Sequence, residues 1–134
     1  MIKILIVDDD PSTRFVLRLI LEREGYEVME AAHGEAALEM MGPDSLPDIV
    51  TTDLMMPILN GTELIARIRA EPRTASIPII VVSSNADAAR SLKASGMVDA
   101  IIGKPFDAVR LATDIRAIAS NPTRGRQQSM PGLV

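Results

Sequence analysis

Residues 2–10 read Ile2-Lys3-Ile4-Leu5-Ile6-Val7-Asp8-Asp9-Asp10, an aliphatic run of strand length that stops in three consecutive carboxylates. A run without polar alternation suits a strand covered on both faces, the setting of a central strand in a parallel sheet. It is too short for a signal peptide or a membrane helix. Asp10 is placed to cap a following helix, and Pro11 fits the first helical position. Phe15, Val16, Leu19 and Ile20 then recur at spacings of three and four, which predicts the buried face of that helix, and Gly25 ends it.

The strand-then-helix unit repeats along the chain. Tyr26 to Glu30 alternates as a shorter, outer strand, and Gly34 leads into a helix with Ala36, Ala37, Met40 and Met41 on one side, stopped by Gly42-Pro43. Pro47 to Thr52 reads as a third strand running into Asp53. A loop through Pro57 and Asn60-Gly61 follows, then a helix carrying Leu64, Ile65 and Ile68. Ile77 to Val82 is a second apolar strand. Residues Asn85 to Ser95 form a helix of alanine and polar groups in which Leu92 is the one large apolar side chain, so weak docking is expected there. Met97 to Ile102 makes a fifth strand, and Phe106 to Ala119 a last helix with Leu111, Ile115 and Ile118 in register. Five such repeats predict an α/β domain, a doubly wound parallel sheet with helices on both faces and right-handed crossovers. From Asn121 the chain turns polar, and residues 121–134 are expected to be a flexible tail.

At 134 residues there is room for one ordinary domain, which excludes multidomain receptors and enzymes. With 47% hydrophobic and 24% charged residues the chain can bury a core. The absence of cysteine removes disulfides, thiolate metal sites and cysteine nucleophiles, and fits a cytoplasmic location. The net charge of −4 hides a polarity: residues 1–63 hold 13 acids against 4 bases, whereas residues 64–134 hold 5 acids against 10 bases. Basic groups are not interleaved with aromatics, of which there are only Phe15, Tyr26 and Phe106, so no nucleic-acid partner is expected.

In sheets of this kind ligands sit outside the carboxyl ends of the strands. That edge gathers Asp8, Asp9 and Asp53 from two central strands. Carboxylates packed together raise one another's pKa, and a hard divalent cation relieves the conflict; oxygen donors without histidine or cysteine suit magnesium. Asp10 reads as a helix cap only. Lys104, after the fifth strand, can reach the same crevice, and Ser83, at the end of the fourth, adds a hydroxyl. Lysine, cation and carboxylate together make a phosphoryl-transfer site. His33, the single histidine, reads as an incidental loop residue, and Met29, Met40 and Met41 as packing residues.

The ordered set Ile4-Leu5-Ile6-Val7-Asp8-Asp9-Asp10, Asp53-Leu54-Met55-Met56-Pro57 with Gly61, Ser83 after Pro78-Ile79-Ile80-Val81-Val82, and Lys104-Pro105-Phe106 closely resembles the receiver domain of two-component response regulators. The resemblance runs over residues 2–119. It implies a flavodoxin-like, CheY-like fold with five parallel strands in the order 2-1-3-4-5. The receiver domain is expected to span residues 1–120, and residues 121–134 are too few for an output domain, so none is expected. The resemblance implies that Asp53 is the phosphoacceptor, served by a sensor histidine kinase or a histidine phosphotransfer protein. Asp9 and Asp53 would bind Mg2+ directly, with the Met55 carbonyl as a third ligand and Asp8 acting mainly through water. Lys104 would pair with the Asp53 carboxylate and then its phosphate. Ser83 would swing toward the phosphoryl oxygen, and the Lys104–Pro105 peptide would be cis. Phosphorylation would then bias the loop after Ser83 and its helix toward a downstream protein target.

Three departures from the family pattern stand out. Ile101 occupies the position, three before the lysine, where an aromatic ring commonly turns inward on activation. Gly96 to Lys104 is one residue longer than usual, so the fifth strand is expected to bulge or start differently, and Asn60 stands where aspartate often precedes the glycine, a mild change in a turn. Two alternatives to a phosphorylated signalling module follow from the residues. One is a receiver-fold scaffold that has lost its switch. The other is a small haloacid-dehalogenase-like phosphohydrolase using Asp8 of its Asp8-x-Asp10 pair; against it, Ser12 replaces the usual threonine and no acidic pair follows the fourth strand.

Overall fold

Along each central strand, alternate side chains enter two different cores. A computed structural model describes residues 1–56 and 58–120; Pro57 and the expected tail, residues 121–134, lie outside the described residues. The elements are β1 (Lys3–Val7), α1 (Pro11–Arg23), β2 (Glu27–Ala31), α2 (Gly34–Met40), β3 (Ile49–Thr52), α3 (Gly61–Ala70), β4 (Ile79–Ser83), α4 (Ala86–Ala94), β5 (Ala100–Gly103) and α5 (Ala108–Ala119). All strand pairs are parallel, in the order β2-β1-β3-β4-β5. Leu5 and Val7 of β1, Val50 of β3, and Ile79 and Val81 of β4 pack with Ala37, Leu64, Ile65, Ile68 and Ala89 beneath α2, α3 and α4. Ile4, Ile6, Ile49, Ile80 and Val82 pack with Leu17, Leu21, Leu111 and Ile115 beneath α1 and α5. A strand buried on both faces favours apolar residues at every position, which explains the runs of β1 and β4, whereas β3 buries Thr51 and Thr52 as well.

Caps fix the helix starts. Asp10 accepts the Ser12 amide (3.2 Å) and the Thr13 hydroxyl (2.6 Å), and Pro11 opens α1. Asn60 and Glu63 form a reciprocal capping box on α3. His33 is not incidental: its Nδ1 accepts the Ala36 amide at 3.1 Å and caps α2. Asp107 caps α5, so that helix begins two residues after the expected Phe106.

The buried face of α1 differs from expectation. Leu17 and Leu21 are buried and Ile20 is half-buried, whereas Phe15, Val16 and Leu19 are exposed, Phe15 to 61%. Both sets have helical spacing, so periodicity cannot choose between them. The choice is made by Arg14 and Arg18, which flank the leucines and bond to Glu30 on β2, fixing the helix phase. The fifth strand begins at Ala100 rather than Met97 and pairs with β4 without a bulge. Before it, Asp99 is taken by other partners: its carboxylate accepts the Ile79 amide (2.8 Å) and Arg69 (3.2 Å), and Arg69 also donates to the carbonyls of Met97, Ala75 and Ile77. Helix α4 has a single buried residue, Ala89, with Leu92 only partly covered, in line with weak docking.

Candidate functional site

The backbone ladder continues one residue past the strand ends and carries the functional side chains with it. Asp53 N–H donates to the Val7 carbonyl (3.0 Å), Asp8 N–H to Ala31 (3.1 Å) and Lys104 N–H to Ser83 (3.1 Å). Asp8, Asp53 and Lys104 thereby reach one edge of the sheet at β1, β3 and β5. The Lys104–Pro105 peptide is cis.

Lys104 Nζ donates to Asp8 Oδ2 at 2.8 Å and to Asp53 Oδ2 at 2.9 Å. The lysine therefore bridges both acids rather than pairing with Asp53 alone. The other oxygen of Asp53 accepts the amides of Leu54 (2.6 Å) and Met55 (3.4 Å), and Asp8 Oδ1 accepts the Asp10 amide (2.9 Å). Burial pushes the Asp8 carboxyl above the usual carboxylate range despite its hydrogen bonds to Lys104 and Asp10. Burial alone would lower the Lys104 pKa, but hydrogen bonds to Asp8 and Asp53 outweigh it and hold the ammonium above its ordinary value. The lysine stays a cation throughout the neutral range.

Asp8, Asp9 and Asp53 each offer a carboxylate oxygen, and these atoms lie within 4.8 Å of one another. A hard, all-oxygen donor set with one exposed member, Asp9, fits a cation of the magnesium kind, and the single histidine is committed to capping α2. Met55 is exposed, and the 3.4 Å contact of its amide with Asp53 Oδ1 places its backbone at the same edge. Ser83 is buried at the end of β4, and its hydroxyl oxygen accepts the Asn85 amide at 3.0 Å. Ile101 is half-buried against the core beneath α4 and faces Val81 across the β4–β5 pair.

Two further features shape the edge. Gly61, at the start of α3, presses against the backbone of Asp53: a Cβ there would lie 2.0 Å from the Asp53 carbonyl oxygen. Arg14 donates to the Asp8 carbonyl at 2.6 Å. Gly61 belongs to the sequence motif but its contact with the Asp53 backbone does not show there, and Arg14 belongs to no motif, although an arginine pair at i, i+4 opposite a glutamate at a strand end is a readable signal.

The model of the response regulator receiver domain family matches residues 4–116. The chain belongs to this family. Among its relatives is the chemotaxis protein CheY1 of Helicobacter pylori strain J99, 38% identical over 108 residues that cover 78% of this chain and 86% of that protein. The phosphate regulon regulator PhoB of Rhizobium meliloti is 33% identical, the aligned part covering 87% of this chain and 51% of PhoB. Among solved structures, the signal receiver domain of a histidine kinase from Syntrophus aciditrophicus superposes with a TM-score of 0.80 at 31% identity, covering 92% of this chain and 94% of that one. The chemotaxis response regulator CheY4 of Vibrio cholerae gives 0.79 at 28% identity, covering 88% and 98%. The receiver is thus a signalling module of two-component systems rather than a classical enzyme, and its sheet has the CheY-like, flavodoxin-like order. No helix among the described residues is long and apolar enough to cross a membrane.

Proposed function

We propose that residues 1–120 act as a phosphoacceptor switch, phosphorylated on Asp53 by a sensor histidine kinase or a histidine phosphotransfer protein, and that the switch alters binding of a downstream protein. The observation that carries this reading is Lys104 bridging Asp8 and Asp53 at the edge where three carboxylates converge.

Asp9 and Asp53, with the Met55 carbonyl, would hold Mg2+ directly, and Asp8 would act on it through water. When bound, the cation offsets the negative charge that gathers on the phosphoryl oxygens. An Asp53 carboxylate oxygen forms a bond to phosphorus as the P–N bond to the donor histidine breaks, and the electron pair of that bond remains with the donor's imidazole. Lys104 is already in contact with the attacking carboxylate and stays there to pair with the acyl phosphate. Switching off is a separate hydrolysis: water attacks phosphorus and gives up a proton to solvent, the P–O bond to Asp53 breaks with its electron pair left on the carboxylate, and inorganic phosphate leaves.

Ser83 links the site to the readout. Its oxygen accepts from Asn85, the N-cap of α4, while its own proton is available to a phosphoryl oxygen. Turning the hydroxyl toward the phosphate loosens the Asn85 turn and the start of a helix whose one fully buried residue is Ala89, with Ala88 and Leu92 only partly covered. Ile101 has no ring to swing, so α4 and its leading loop carry the change. Phe15, Val16, Leu19 and Val109, exposed on α1 and α5, give the phosphodonor an apolar surface.

Incubation with magnesium and a small acyl phosphate is expected to add one phosphoryl group by intact mass, and Asp53→Asn to abolish it. Normal phosphorylation of that variant would end this reading. The departure at Ile101 favours one other reading, a scaffold without a switch. If a beryllofluoride phosphate mimic leaves the amide spectrum of residues 83–104 unchanged, the scaffold is correct. A hydrolase using Asp8 as nucleophile is disfavoured, because its side chain is 1% exposed against 11% for Asp53 at the same lysine, so Asp53 is the more accessible carboxylate.

A further inference from the structure

Asp8 is held from two sides by its side chain and from a third by its backbone. Its carboxylate is fixed by Lys104 and the Asp10 amide, while its carbonyl oxygen accepts a hydrogen bond from Arg14 Nη1 at 2.6 Å. Arg14 is itself anchored: its Nε donates to Glu30 Oε1 at 3.2 Å, and Glu30 also accepts from Arg18 Nε. The hydrogen bond from Arg18, with that from Arg14, holds the Glu30 carboxyl below its usual range against the effect of burial. Asp9 is different. It is exposed, and among the described residues its carboxylate accepts no hydrogen bond.

We infer that Arg14 is a positioning residue for the cation site, acting through the Asp8–Asp9 peptide. The peptide unit is planar, so fixing the direction of the Asp8 carbonyl also fixes the plane that leads to the Asp9 Cα. With its side chain otherwise unheld, Asp9 owes its approach to Asp8 and Asp53 to that backbone. Glu30 on β2 serves Arg14 as its anchor, and the fork of the guanidinium is what spans Glu30 and the Asp8 carbonyl together.

This inference rests on the reading of the three acids as a Mg2+ site, and its sign separates it from a plain charge effect. Arg14 is a cation beside the site, so by Coulomb's law alone its removal should tighten Mg2+ binding. Loss of positioning should weaken it. The test is a Mg2+ titration of the full chain, followed by the amide shifts of residues 8–10 and 53–55, in wild type, Arg14→Met, Arg18→Met and Asp9→Ala. Arg14→Met is expected to weaken binding about 10-fold, as for other residues that orient a ligand from behind. Arg18→Met, which touches Glu30 but not the Asp8 carbonyl, is expected to bind as wild type. A merely structural role would lower the melting temperature of both arginine variants without separating their affinities.

Unchanged or tighter binding by Arg14→Met overturns the inference while leaving the metal site standing. If Arg14→Met does not fold, Arg14→Lys, which keeps the charge but lacks the fork, is judged by the same criterion. If wild type binds no Mg2+, or binds it equally well as Asp9→Ala, the cation-site reading fails and this inference falls with it.

Discussion

Replacing Gly61 by alanine should damage fold and site together. The added Cβ would lie 2.0 Å from the Asp53 carbonyl oxygen, 2.7 Å from the Leu54 Cα and 2.9 Å from the Asp53 carbonyl carbon. Contacts under 3.0 Å are essentially never made by a Cβ, so something must move by at least about 1 Å. All three neighbours are backbone, so no rotamer change relieves the overlap. Helix α3 cannot simply lift away either, because Leu64, Ile65 and Ile68 are buried beneath it. Overpacking costs roughly 1–3 kcal/mol, and a clash without side-chain escape belongs at the upper end, about 3 kcal/mol. Against a total stability of roughly 5–15 kcal/mol, that should lower the melting temperature by about 10 °C. Thermal and urea unfolding followed by far-UV circular dichroism measures it, with Gly42→Ala as control, where the nearest atom to a Cβ is Ser45 Oγ at 3.6 Å. Phosphorylation of the folded variant by a small acyl phosphate should also slow, by up to about 100-fold, since the displaced backbone carries Asp53. A Gly61→Ala protein as stable as the Gly42→Ala control, and phosphorylated at the wild-type rate, would refute the reasoning.

Two other perturbations test the energetics. Because burial raises the Asp8 pKa, the folded state holds that proton more tightly than the unfolded chain does, and stability falls as pH rises from the ordinary carboxylate value through the raised one. Asp8→Asn should therefore be more stable than wild type at neutral pH in metal-free buffer, with the gap closing as pH falls toward the point where both states are protonated; urea midpoints across the acid range show it. The Thr51 hydroxyl is buried in β3 with no hydrogen-bond partner among the described residues. Thr51→Val should gain about 1 kcal/mol, read as a higher urea midpoint at unchanged slope.

The strands and their ends were legible because burial on both faces leaves an unmistakable mark. After Lys3 at its start, β1 admits no polar side chain before Asp8, and β4 none before Ser83, so these two residues announce where each strand stops and the chemistry starts. Lys104-Pro105 marked the fifth strand's end in the same way. The phase of α1 was not legible, since Phe15, Val16, Leu19 and Ile20 fit a helical face as well as Leu17 and Leu21 do. What decided it was Arg14 and Arg18 meeting Glu30, a contact between elements that no local period reports. The start of β5 was hidden for a similar reason: Asp99 is drawn to Arg69 on α3 and the amide of Ile79 on β4. At the site, residue types were readable but shared partners were not. Lysine 104 in sequence is one cation, and only the fold shows that it serves two acids. Gly61 conceals its role more deeply, because a missing side chain signals nothing about the backbone that fills its place.

The central claim is that the phosphoryl group is carried by Asp53 and by neither Asp8 nor Asp9. An acyl phosphate is reduced by borohydride to an alcohol, which converts the modified aspartate to homoserine at the place of attachment. Phosphorylated protein trapped in this way, digested and sequenced by tandem mass spectrometry, should carry the change at residue 53 alone. Homoserine at residue 8 or 9, with residue 53 untouched, would contradict the account.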